Sequence, residues 1–165
     1  MATLRCTAKY RKALHLPEKL PESVDNSLLG EWYANTLSIG HQQFLHYMSA
    51  MSLLSVIVPR RESRTAEQRM VEALELLLIS FGSPAGPIAA QIESMQSIKH
   101  ARASNRSVLA SMRDQAFVAR NAVYGRRASS CWEIMLDLSV MPCGALGYNN
   151  PRKVTLELLR ESGAG

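Results

Sequence analysis

Cysteine is scarce in this sequence: Cys6, Cys131 and Cys143 are odd in number, far apart and without a C-x-x-C pair. That argues against a disulfide framework, and with only four histidines to complete a site it argues against structural zinc. Reduced thiols in a cytosol are the simplest reading. Long apolar runs are missing too. The two most apolar stretches, residues 52–58 and 74–79, are far too short to span a bilayer, and the opening Met-Ala-Thr-Leu-Arg-Cys-Thr has no signal-peptide core. The expectation is a cytoplasmic protein with no membrane partner. There is also no phosphate loop, dinucleotide fingerprint, nucleophile elbow or H-E-x-x-H motif. No cofactor, metal or catalytic residue is therefore assigned. No repeat, heptad run or linker divides residues 1–165, so a single domain is expected.

What is present is an ordinary globular composition, 47% hydrophobic and 20% charged, in a chain long enough to bury a core. Residues 2–6 read as a strand and 8–14 as a short helix with Thr7 as its cap. Residues 31–39 and 43–48, parted by Gly40-His41, carry the aromatic and apolar bias of a hairpin. Residues 53–58, ended by Pro59, suit a buried central strand or, on periodicity alone, a buried helical turn.

Helical signals then dominate. Thr65-Ala66-Glu67-Gln68 matches a capping box, Met70, Leu74, Leu77, Leu78 and Phe81 repeat at helical spacing, and Gly82 closes the helix. Pro84 and Pro87 open a second helix, 97–102 reads as a strand, and a long helix follows over 106–124, capped by Ser104 or Asn105. Helices over 130–138 and from Pro151 to about 161 complete the chain. The result is an α+β fold: a small mixed or antiparallel sheet of about four to five strands covered by about five to six helices.

The net charge of +5 is concentrated. Between residues 99 and 127 seven cations (Lys99, Arg102, Arg106, Arg113, Arg120, Arg126, Arg127) face one anion, Asp114. Arg106, Arg113, Arg120 and Arg127 are spaced by seven, which returns to nearly the same side of a helix, and Phe117 and Tyr124 fall close to the stripe. Guanidiniums interleaved with aromatics suit phosphates and unstacked bases, so DNA or RNA is the leading partner. The same stripe also fits an acidic protein partner or a solvated face whose stems cover apolar surface, with Phe117 and Tyr124 packed on a neighbour.

Two other classes are weighed against non-catalytic binding. A small hydrolase, nuclease or toxin-like enzyme would draw on His46, His100, Cys143 and Asp114. Each also has a bland reading: Cys143 as a small buried hydrophobe, and the two histidines as satisfied sheet residues. A protein-interaction or inhibitor module would instead show an exposed apolar patch or a homodimer.

Four motifs fall in order along the chain: Leu4-Arg5-Cys6-Thr7, Gly30-Glu31-Trp32-Tyr33-Ala34-Asn35, Asn105-Arg106-Ser107-Val108-Leu109-Ala110-Ser111-Met112 and Pro142-Cys143-Gly144-Ala145-Leu146-Gly147-Tyr148. With these the chain resembles a family of small bacterial proteins known only as a domain of unknown function. The resemblance implies a bacterial, cytoplasmic, single-domain protein and carries no activity with it. In the family pattern an acidic residue precedes the tryptophan, as Glu31 does, whereas glycine and asparagine stand where this chain has Ala110 and Arg113. The arginine stripe is thus partly this chain's own. Among the motif residues, Arg5, Trp32, Tyr33, Asn35, Asn105, Arg106, Ser107 and Tyr148 are the polar or amphipathic ones, suited to a site or to capping and buried hydrogen bonds.

Overall fold

A computed structural model describes residues 1–163. Strand β1 (Ala2–Cys6) leads into helix α1 (Ala8–Ala13), where the Thr7 hydroxyl caps the first turn by accepting from the Tyr10 N–H. After a long loop come the hairpin strands β2 (Trp32–Ile39) and β3 (Gln42–Ser49), then β4 (Ser55–Pro59). A 3-10 turn (Arg60–Thr65) precedes α2 (Ala66–Ser80), and α3 (Ala85–Ser94), β5 (Ile98–Arg102), α4 (Arg106–Tyr124), α5 (Cys131–Ser139) and α6 (Pro151–Gly163) follow.

The five strands form one mixed sheet in the order β4-β3-β2-β1-β5. Strands β2, β3 and β4 pair antiparallel, while β1 runs parallel to both of its neighbours, with Cys6 opposite Ala34 on one side and Arg102 on the other. This is the expected α+β class, with the sheet's mixed character now settled.

Strand alternation sends successive side chains to opposite faces, and cross-layer bonds show which helices cover each. On one face Tyr10 of α1 meets Tyr47 of β3, hydroxyl to hydroxyl at 2.8 Å with the rings edge-to-face, and Glu67 of α2 pairs with His100 of β5. On the other, Tyr33 and Met48 pack on Val108 and Met112 of α4, and Ser55 bonds to Gln115 of the same helix. Helix α6 packs against α3 and α5.

Three local expectations change. Residues 53–58 do contain a strand, but β4 lies at one edge of the sheet and not at its centre. Its residues are apolar throughout because α2 and α5 cover both faces of that edge, and a short strand ending in Pro59 resists pairing with another chain. The strand also starts late: Leu53 sits at φ +58° in a turn whose backbone N–H bonds Ser49 O, so pairing begins at Ser55. Finally, Thr65 makes no capping bond to α2; its hydroxyl donates to Glu62 O within the 3-10 turn, and Gln68 reaches forward to Glu72.

Candidate functional site

The four sequence motifs converge, and most of their polar atoms are consumed in joining one another. Arg5 pairs with Glu31 and donates to the Arg102 carbonyl, linking β1 to the entry of β2 and the end of β5. Thr7 donates to Asn35 Oδ1 at 2.8 Å. The Tyr33 hydroxyl accepts from the Asn105 N–H at 3.1 Å, and Asn105 Oδ1 in turn accepts from Ser107 N–H and Val108 N–H, capping α4. Tyr33, Val108, Met112 and Cys143 share a small second core with Met48 and Leu53. Gly30 has φ +68°, a left-handed conformation that selects glycine, and it lets the flexible Met51 side chain lie against the backbone. The motifs chiefly fix where α4 sits on the sheet. The exceptions are Trp32, whose buried Nε1 has no hydrogen-bond partner among the described residues, and Arg106, Ser107 and Tyr148, which point to solvent; Tyr148 is 80% exposed at φ +66°.

The groups considered for hydrolysis are arranged differently from an active site. His46 is buried, and burial lowers its pKa to about 4, so the ring is neutral. Its Nε2 lies 2.7 Å from Ser55 Oγ, while the Ser55 hydroxyl donates to Gln115 Oε1 and Gln115 Nε2 donates to Leu53 O. The single hydroxyl proton is thereby committed to Gln115, so Nε2 must carry the proton and donate. A general base needs the opposite polarity. Cys143 is buried near Gln115 and Asp114, with its thiol donating to Met141 O; burial pushes its pKa up, away from the thiolate. His100, on the far face, pairs with Glu67. Among the described residues, His46, Ser55 and Cys143 line none of three well-formed surface grooves.

The cations follow another pattern. Helix α4 buries Val108, Met112, Gln115, Ala119 and Ala122. At about 100° per residue, Arg106, Arg113, Phe117 and Tyr124 fall within about 40° of a line directly opposite that stripe, and Arg120 within about 60°. Arg106 and Arg113 are exposed, Arg120 is half-exposed, and Phe117 and Tyr124 are 64% and 62% exposed, so the rings do not pack against a neighbour as a core would require. Among the described residues none of these arginines is ion-paired; the ion pairs belong to Arg5, Arg69 and His100. Arg126, at φ +59°, and Arg127 are exposed just past the helix end. Lys99 and Arg102 are exposed on the edge strand β5, three residues apart and so on opposite faces.

Two bonds tie the C-terminal half of this row to the β2–β3 hairpin: Arg120 Nε donates to Ser38 O at 2.8 Å, and the Tyr124 hydroxyl accepts from the Gly40 N–H at 3.0 Å. There the row meets a groove of about 790 Å³ between the hairpin, the end of β4 and the start of α5. Tyr124 is one of its walls, Ile39, Phe44, Val123 and Ile134 supply apolar surface, and Arg60 and Arg61 also line it, both exposed. The sequence reading missed these two arginines. Their signal is a consecutive pair directly after the Pro59 strand terminator, far in sequence from the basic segment 99–127.

No curated protein and no solved structure matches this chain. A family model does, over residues 3–154, and so takes in all four motifs and the whole of α4. The chain belongs to the family described as Domain of unknown function (DUF6933).

Proposed function

We propose that this protein binds nucleic acid non-catalytically through the outward face of α4, with Arg106, Arg113 and Arg120 as the phosphate contacts and Arg126 and Arg127 extending them. The observation that carries the reading is the row itself: guanidiniums alternating with exposed rings, opposite the buried stripe, and paired to no carboxylate among the described residues. A merely solvated helix face has no need of two large aromatics at more than half exposure. Lys99 and Arg102, on the edge strand, add to the positive field without joining the row.

The test is fluorescence anisotropy of labelled DNA and RNA across a salt series. Three to five phosphate contacts give a fall of log K with log salt of slope about −2 to −4. The Arg106→Glu, Arg113→Glu, Arg120→Glu variant, checked for an unchanged fold, should lose binding at low salt. Binding that is absent in the wild type, or that survives charge reversal, removes the proposal. Displacement by polyglutamate as readily as by nucleic acid would assign the row to an acidic protein instead.

A further inference from the structure

We infer that the groove at the C-terminal end of α4 receives an unstacked base, so that the protein selects single strands over duplexes. The inference rests on the nucleic-acid reading above and names its substrate class. Three observations carry it.

The first is continuity. Arg120 and Tyr124 are held at the hairpin by their bonds to Ser38 and Gly40, and Tyr124 belongs to both the row and the groove wall. A strand followed along the guanidiniums therefore reaches the groove without a break.

The second is the groove's chemistry. Its volume lies within the range of clefts that enclose small ligands (~300–1,000 Å³). Apolar walls from Phe44, Val123 and Ile134 suit the face of a base, and Arg60 and Arg61 suit the phosphate that accompanies it. Three other polar residues there are already engaged. Ser130 caps α5 by accepting from the Glu133 N–H, Ser129 bonds to the Glu133 carboxylate, and Gln43 accepts from Ser38. The helix start thus holds its own carboxylate, and Glu62 also lies near the Cys131 thiol. The anion-binding capacity of the groove resides in the two guanidiniums.

The third observation is the pair of exposed rings. Phe117 and Tyr124 lie between arginines, where a duplex would present only phosphates and sugars. A single strand presents base faces there, and stacking on aromatic side chains is how sequence-tolerant single-strand binders use such residues.

Cys131 supplies the probe. It lines the groove and is half-exposed, whereas Cys6 and Cys143 are buried. The rate of its modification by a thiol reagent, with the adduct located by mass spectrometry, would be measured with saturating single-stranded DNA, single-stranded RNA and a duplex of equal length. Single strands should slow modification at least fivefold and bind at least tenfold tighter than the duplex. Protection by RNA alone, DNA alone or both supports the inference and identifies the sugar that is read. Arg60→Ala with Arg61→Ala should weaken single-strand binding tenfold or more while changing duplex binding less than threefold. Single strands that bind without protecting Cys131, or a duplex bound as tightly, would overturn the inference while leaving the row a polyanion site. Absence of all nucleic-acid binding would remove both.

Discussion

The third motif and the arginine row share helix α4, yet the structure uses them in opposite ways. At its start and along its buried side, α4 is tied down: Asn105 caps it, Tyr33 accepts from the cap residue's own backbone, and Val108 and Met112 pack with Cys143. On its outer side Arg120 and Tyr124 bond to the β2–β3 hairpin, but the guanidiniums nearer the helix start are left without carboxylates among the described residues. Arg106 and Arg113 have no ion-pair partner among the described residues, and Phe117 lies in water. A polar group satisfied inside the protein is spent on stability, whereas an unsatisfied cation beside an exposed ring remains available to another molecule. The comparison teaches that motif membership and membership of the exposed row are different properties here, with Arg106 the residue that holds both.

The largest effect that would test this division is at Tyr33. Truncation by Tyr33→Ala empties part of the second core and removes the acceptor for the Asn105 N–H, and by analogy with other large core aromatics should cost about 3–5 kcal/mol. Tyr33→Phe keeps the ring and should cost about 1 kcal/mol, the net worth of one hydrogen bond. Urea denaturation measures both. If Tyr33→Ala proved as mild as Tyr33→Phe, the motif core would not be what holds α4 in place.

Much of this arrangement could be read from the chain, because its signals are local. The spacing of Val108, Met112 and Ala119 marks the buried side of α4, although Gln115 and Ala122 complete it in place of Leu109, Ala116 and Val123, and Asn105 is a recognisable cap. The spacing by seven placed Arg106, Arg113 and Arg120 on one line. Other features depended on partners distant in sequence. An apolar run has the same composition at a covered edge as at a centre, so the edge position of β4 was hidden. Nothing near Tyr33 announces that its hydroxyl bonds a backbone 72 residues away. The groove joins residues near positions 40, 60, 124 and 131, and only the tertiary fold brings Arg60 and Arg61 into one groove with Tyr124. The polarity of the His46–Ser55–Gln115 chain likewise needed three elements to be placed before the direction of its protons could be decided.

The histidines extend the comparison to pH. Buried His46 refuses a proton until about pH 4, while in the unfolded chain it accepts one near 6.5, so stability should fall by roughly 3 kcal/mol as pH drops through that window. His100 works in the opposite sense. Its hydrogen bond to Glu67 raises its pKa despite partial burial, so its contribution is complete below about pH 6.5 and is lost as pH rises through the raised value. Thermal melts from pH 4 to 8 on wild type and His100→Gln should leave the acid-side loss intact and remove only the change on the alkaline side. A His46 ring that titrates near 6.5 by NMR would mean that the network is open to water and that its proton polarity is not fixed as deduced.

The smallest effect is the most discriminating, because it sets adjacent residues against each other. Asn105 and Arg106 are consecutive, belong to the same motif and stand at the same helix start. Asn105 supplies a side-chain oxygen to two otherwise unpaired N–H groups, so Asn105→Ala should lower stability by about 1 kcal/mol. Arg106 is exposed and unpaired among the described residues, so Arg106→Ala should move stability by less than about 0.5 kcal/mol. Binding should rank the two in reverse. Folded Asn105→Ala keeps every guanidinium of the row, whereas Arg106→Ala removes one phosphate contact and should reduce the steepness of the salt dependence by about 0.7–0.9. If the two substitutions were equally destabilising, the Arg106 guanidinium would have a structural partner, and the outer face of α4 would be scaffold like the inner one.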